Sequence, residues 1–436
     1  MTGRFTPGTA FRADEHRLSN GLRAVLVPRP DLHQVSIALF LRVGSRFETA
    51  ASNGVSHFLE HMLYRGTPKL PNAHAQALAF EGLGGTLYAA TASDHGLMTL
   101  TLPPETLLEA LPLLGEVVRE PIFSAIDVER RIVHEEILED LDDEGRQVGA
   151  DNLVRSLLYG DHPLGFPITG SLATLASFDV PTLRAHHARH YHAGNALLAV
   201  AGALPEGLVP ALEAALGPLP SGTAVTSAAP AQPVPGRPRF RYVESDGSQT
   251  DLRVAFRAVG ERDAREPATE ALLRLVDDGM STRLYERLCD DKGLCYDVSA
   301  SFEAYEDDGV FDLAAETQHA RAPEVMRELL SLCAELAEHG PTEVELDKVR
   351  KRAAWGTRAM LDDAESLASF YGLARLAGIA PDPASRCEQI LSVTREQVRD
   401  VAGQIFRPER LAAVAVGVLG KAERTRLERV VRSFGG

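Results

Sequence analysis

Cysteine is scarce in this chain. Four residues of 436, Cys289, Cys295, Cys333 and Cys387, all lie in the second half. So few in so long a chain do not make a disulfide framework, and Cys289 and Cys295, six apart, lack the CxxC pairing of a zinc site. All four read as reduced thiols. Long apolar runs are also lacking: "ALLAVAGAL" (196–204) is far shorter than a membrane span requires. The opening "MTGRFTPGTAFRADEH" has no apolar core of the kind a secretory signal carries, so a cytoplasmic location is the expectation. Positive charge is in deficit. A formal charge of −16 argues against nucleic acid and is compatible with a basic substrate.

What is present describes an ordinary folded protein, with 44% hydrophobic and 24% charged residues, long enough for two domains. The stretch "PSGTAVTSAAPAQPVPGRPR" (220–239) has no hydrophobic period and reads as a linker between residues 1–219 and 240–436. The same pattern recurs on either side of it. "SFDVPTLRAHHARHYHAGNALLAVAG" (177–202) aligns without gaps to "SVTREQVRDVAGQIFRPERLAAVAVG" (392–417), at a constant offset of 215. Each copy is a helical stretch, a turn, and a buried strand ending in glycine. "GLRAVLVPR" and "QVSIALFLRVG" correspond more loosely to "FRYVES" and "DLRVAFRAVG". The order of elements predicts an α+β protein: two similarly folded domains from an internal duplication, each a mainly antiparallel sheet packed with helices.

"GVSHFLEHMLYRGTPK" (54–69) carries the chemistry. Val55, Phe58, Leu59, Met62 and Leu63 follow the helical period of a core-facing stripe. His57, Glu60, His61 and Tyr64 form a second stripe. Imidazoles at i and i+4 are one turn apart, so both can reach one ion, and Glu60 can lie near that ion without binding it. Gly66 and Pro68 stop the helix.

A catalytic zinc takes three protein ligands, so a third is required. The helical segment "SAIDVERRIVHEEILEDLDDEG" (124–145) is its expected source, with Ser124 as N-cap, Asp127 three residues on, and Val128, Ile132 and Leu138 on the apolar side. Spacing alone leaves Glu129, Glu135, Glu136 and Glu139 open, and on the plainer reading they form a solvated acidic face.

"HFLEH", followed after 74 residues by Glu136, resembles the inverted zinc motif of the pitrilysin-type metallopeptidases, and "ERRIVHEE" (129–136) is similar to their second helix. The resemblance runs through most of the chain, including "NGLRAVLVPRPDLHQVSIALFLRVGSRFE", "FEGLGGTLYAATASDH" and "DDGMSTRLYERL". It is to the half-size branch that includes mitochondrial processing peptidases and bacterial relatives, whose two domains make half of a clamshell. It implies Zn2+ held by His57, His61 and Glu136, with Glu129 orienting a histidine ligand. Glu60 would then take the proton of a zinc-activated water. The strand around "GTLYAATASDHG" would be an edge to which an extended substrate adds, with Ala89 and Thr91 fitting the family pattern and Tyr88 standing where an Asn is usual.

A further departure concerns an Arg/Tyr pair spaced by seven residues that the family uses to stabilise substrate and the developing oxyanion. Tyr296 supplies the Tyr, but Cys289 stands where the Arg belongs. Arg287 is two residues away, about 200° around a helix. The resemblance therefore implies an endopeptidase acting on unfolded peptides or protein segments in an enclosed chamber formed by a dimer. Its partner would be a second copy or a zinc-less homologue that supplies the missing Arg. The alternatives are a maturation protease active only with such a partner, and a non-catalytic core subunit of a larger assembly. "AHHARHYH" (185–192) spaces His186 and His190 for a second metal, or reads as a solvated helix end. His95 stands near the edge strand, and His134 beside the glutamates.

Overall fold

The computed structural model describes residues 13–232 and 236–435. Most of the N-terminal stretch read above for a signal, and residues 233–235 of the linker, lie outside them. No helix among the described residues is long and apolar enough to cross a membrane.

The chain builds two sheets. The first contains β1 (Asp14–Arg17), β2 (Arg23–Pro28), β3 (Val35–Leu41), β4 (Leu87–Thr91), β5 (Gly96–Leu102) and β6 (Ala196–Gly202), in the order β1-β2-β6-β3-β5-β4. The second contains β7 (Arg239–Val243), β8 (Thr250–Ala258), β9 (Cys295–Ala304), β10 (Gly309–Thr317) and β11 (Leu411–Val416), in the order β7-β11-β8-β10-β9. Without β1 the two orders are the same. Each sheet has one parallel pair, β2 with β6 and β7 with β11, and its other ladders are antiparallel. The fold is α+β and duplicated.

The ungapped repeat holds residue by residue. The helix Val180–His190 corresponds to Arg395–Ile405, its N-cap Asp179 to Thr394, its C-cap Tyr191 to Phe406, and β6 to β11, all at the offset of 215. Asp179 accepts from the backbone N–H of Thr182, and Thr394 forms a capping box with Gln397. A cap of this kind stabilises a helix by about 1 kcal/mol.

β3 is buried at all seven positions, and β6 at six of seven. Such strands have both faces covered, which is why "VSIALFL" shows no polar alternation. Ala38 and Phe40 of β3 pack, with Val25, Val27, Ala199 and Ala201, against Leu367, Ala368 and Tyr371 of the helix Ala364–Leu376. That helix comes from the other half of the sequence. Reciprocally, Leu153, Val154 and Leu158 of the helix Ala150–Tyr159 pack on Ala255, Val310, Ala412 and Val414 of the second sheet. Arg155 of the same helix pairs with Glu303 at 2.6 Å.

The compact units therefore do not coincide with residues 1–219 and 240–436. The first gathers the chain through Ile137, then Pro167–Ala228 and Gly356–Ser385. The second comprises Leu138–Phe166, Ala229–Trp355 and the chain from Arg386. The repeat in the sequence marks where the duplication lies, whereas burial of each sheet's second face decides which helix belongs to which core. Residues 220–232, read as a linker, have no regular secondary structure. The Val225 N–H donates to Asn195 Oδ1 at 2.8 Å in the first unit, and Ala231 is buried in the second.

Candidate metal centre

The helix Val55–Leu63 arises where the sequence places it, and its core-facing stripe, Val55, Phe58, Leu59, Met62 and Leu63, is buried throughout. It stops ahead of Gly66, whose φ of 114° continues no helix. The rings of His57 and His61 stand 4.6 Å apart, centroid to centroid.

The facing helix differs from its expected form. It spans Ile126–Leu138 rather than 124–145, and Ser124 does not cap it. The Ser124 hydroxyl donates instead to the Arg65 carbonyl at 3.1 Å, and Phe123 and Ala125 both take positive φ as the chain turns in. The buried stripe is Glu129, Val133 and Ile137, while Val128, Ile132 and Leu138 are exposed. The reason is the partner face: polar groups of the first helix await this one, so a carboxylate is drawn inward where an apolar side chain would leave them unpaired.

Of the four glutamates left open by spacing, Glu135 and Glu139 are exposed. Glu136 Oε2 lies 3.0 Å from His57 Nε2 and 3.5 Å from His61 Nε2. Glu129 Oε1 lies 2.9 Å from His61 Nδ1, and its second oxygen pairs with the Arg65 guanidinium. The His57 hydrogen bond holds the Glu136 carboxyl below the usual carboxylate range, against its partial burial. Glu60 Oε2 accepts from Thr91 Oγ1 at 2.6 Å and stands 3.9 Å from His57 Nδ1. Burial and the neighbouring Glu60 push the Tyr64 phenol well above its ordinary range.

The ligand atoms of His57, His61 and Glu136 lie within 4.8 Å of one another. Two imidazole nitrogens and one carboxylate oxygen in that compass suit a tetrahedral zinc with ligands at about 2.0–2.2 Å and one open position. This is the one such group of three among the described residues. The His186–His192 stretch forms neither a second centre nor a solvated end. His186 Nε2 contacts Ser56 Oγ at 3.1 Å, His187 Nε2 the Val118 carbonyl at 2.8 Å, and His190 Nδ1 the Arg42 carbonyl at 2.8 Å. His190 and His192 are buried.

Among the described residues β4 pairs only with β5 and ends its sheet, so Ala89 and Thr91 lie on an edge strand. His95 beyond it pairs with Asp94 at 3.0 Å, and His134 lies beside Glu135. All the residues expected at the site except Tyr296 fall in the first unit. Tyr296 is the second residue of β9 in the second, 95% exposed, with Cys289 Sγ 4.0 Å from its carbonyl oxygen. Arg287 is committed to Glu335 and Arg283 to Glu345. Sequence reading missed Arg65, which sits one turn beyond His61, and the bond that ties Thr91 to Glu60. Helical spacing could have signalled the first, but nothing local signals the second.

Two helices bring His57, His61 and Glu136 together, with a further carboxylate beside them and an edge strand alongside, and this donor set fits a metal ion. Residues 23–171 match the family model described as Insulinase (Peptidase family M16), and residues 177–353 the model described as Peptidase M16 inactive domain. A Mycobacterium bovis protein named an uncharacterized zinc protease is 30% identical over 418 residues, covering 94% of this chain and 94% of that protein. The crystal structure of a protease from Helicobacter pylori superimposes with a TM-score of 0.86 at 20% identity, covering 94% of this chain and 100% of the other. A Pseudomonas fluorescens structure described as a peptidase M16 inactive domain gives 0.84 at 23% identity, with coverages of 94% and 100%. The chain belongs to peptidase family M16, and the relatives named zinc proteases mark its general class as peptidase.

Proposed function

We propose that this chain is a zinc-dependent endopeptidase, with zinc held by His57, His61 and Glu136. The convergence of His57 Nε2 and His61 Nε2 on Glu136 Oε2 carries the reading. Bound zinc would supply Lewis acidity to a water and to the scissile carbonyl, bringing the water's pKa toward about 7. The Glu60 carboxylate would take a proton from the attacking water and pass it to the leaving amine. Thr91 fixes the rotamer of Glu60 through Oε2. Glu129, anchored by Arg65, accepts from His61 Nδ1 and so presents Nε2 to the metal. An extended substrate adds to the β4 edge through main-chain hydrogen bonds, which suits unfolded peptides or protein segments of varied sequence.

The purified, zinc-loaded chain and Glu60→Gln decide the reading when assayed on a quenched, unstructured peptide library. The expected result is a loss of 10²–10⁴-fold in kcat at unchanged zinc content, the range general acid–base catalysis contributes. Wild-type turnover by Glu60→Gln would sink the assignment.

Cys289 favours a second form of the same reading. With Arg283 and Arg287 both engaged by glutamates, the Arg of the family's Arg/Tyr pair has no substitute from these two residues. The proposal is then a processing peptidase working in an enclosed chamber with a zinc-less homologue that supplies it. A self-associated chain that turns over peptide at full rate without a second protein would overturn this form alone.

A further inference from the structure

The helix that carries both histidines starts without a cap of its own. Its N-cap is Gly54, at a φ of 91° and with no side chain to offer. A Cβ there would come within 2.6 Å of the Thr169 carbonyl oxygen and 2.7 Å of Gly170 Cα, so a residue with a capping side chain is excluded. The first turn of a helix nevertheless has backbone N–H groups that need acceptors.

The Ser52 carbonyl accepts from the Val55 N–H at 3.1 Å, and Glu48, six residues upstream of Gly54 and buried, meets part of the remaining need. Its Oε1 accepts from the Ser56 N–H at 2.9 Å, and its Oε2 accepts from the Gly54 N–H at 2.8 Å and from Asn53 Nδ2 at 3.1 Å. The Asn53 amide also donates to the Pro167 carbonyl at 2.8 Å. Ser56 is held a second time, its Oγ accepting from the Gly44 N–H at 3.2 Å. A carboxylate at this end also complements the helix dipole.

We infer that Glu48 is a positioning residue for the metal centre, an inference that rests on the zinc reading above. His57 sits in the turn that Glu48 holds, and His61 one turn further on. Loss of the cap frays the first turn before the second, so one imidazole leaves its place while the other stays. Glu48 thereby sets the distance from His57 to His61 and Glu136 without touching metal or substrate.

The test compares Glu48→Gln with wild type and with Glu116→Gln. Glu116 is also a buried carboxylate and accepts a backbone N–H, that of Lys69, but it lies away from the start of this helix. Zinc affinity is read by competition with a chelator, and the first turn by amide hydrogen exchange of Ser56, His57 and Phe58. Glu48→Gln should bind zinc 10–100-fold more weakly, the range seen when groups behind metal ligands are changed. Exchange should quicken in those three residues, and kcat should fall with KM within twofold. Glu116→Gln should lower Tm without moving zinc affinity. Should Glu48→Gln not fold, Asn53→Ala removes one donor and the tie to Pro167 and should shift zinc affinity in the same direction by less. Unchanged zinc affinity and first-turn exchange in a folded Glu48→Gln or Asn53→Ala would overturn the inference while leaving the peptidase reading intact. A wild-type chain that takes up no zinc would instead remove that reading, and this inference with it.

Discussion

Thr91 Oγ1 donates a 2.6 Å hydrogen bond to Glu60 Oε2, joining the edge strand β4 to the helix that carries the histidines. A hydrogen bond to a charged group contributes about 1.5–3 kcal/mol, and about 1.4 kcal/mol is tenfold in rate. Thr91→Val should therefore lower kcat by about 10–100-fold with zinc content unchanged, and Thr91→Ser should stay within about twofold. Steady-state kinetics beside metal analysis measures both. Equal kcat in the Val variant would mean that Glu60 needs no help from the strand.

Glu129 and Glu136 lie seven residues apart on one helix but have different partners. Glu136→Gln should cost stoichiometric zinc, because it replaces a proposed ligand. Glu129→Gln leaves the ligand set whole and removes the acceptor behind His61 Nδ1, so it should weaken zinc about 10–100-fold. Chelator competition separates the two outcomes. If the variants behaved alike, the roles assigned to the two glutamates would be wrong.

The buried histidines predict an acid-sensitive first unit. Burial lowers His186 well below the ordinary range, lowers His187 and His192, and brings His190 down to about 4. The unfolded chain titrates near about 6.5 and so binds more protons than the folded one below that pH. Stability from these groups is complete above about 6.5 and is lost as the pH falls toward about 4. Denaturant midpoints measured from pH 7.5 to 5 should drop steadily, and His190→Gln should flatten the slope. A flat profile for the wild type would count against neutral burial of this cluster.

The crossing helix Ala364–Leu376 offers a packing test. A Cβ at Gly372 would overlap the Phe40 ring. Gly372→Ala should destabilise the first unit by about 1–3 kcal/mol through overpacking, and Phe40→Leu in the same chain should restore part of that loss. Denaturant unfolding of the single and double variants measures it. Additive losses would show that the two residues do not share one site.

Much of the site is written locally. His57, Glu60 and His61 share a face because four residues are one helical turn, whatever else the chain does. The repeat at the offset of 215 is legible because caps, turns and buried strands recur as residue types at fixed spacing. The facing helix is another matter. Its sequence offers Val128, Ile132 and Leu138 as the natural core face, yet the structure buries Glu129 instead, because the imidazoles and Arg65 opposite require a carboxylate.

The sequence by itself determined the spacing of His57 and His61, the duplication and the α+β class, since each rests on contacts within a few residues or on pattern repeated along the chain. Spacing left four glutamates open, and only the tertiary structure seats Glu136 between two histidines and Glu129 behind one of them. It also decided that His190 is buried, that Glu48 caps a helix it does not belong to, and that each sheet takes its second covering helix from the other half of the sequence. Those outcomes depend on which distant segment reaches a face first left bare, and no local period records that.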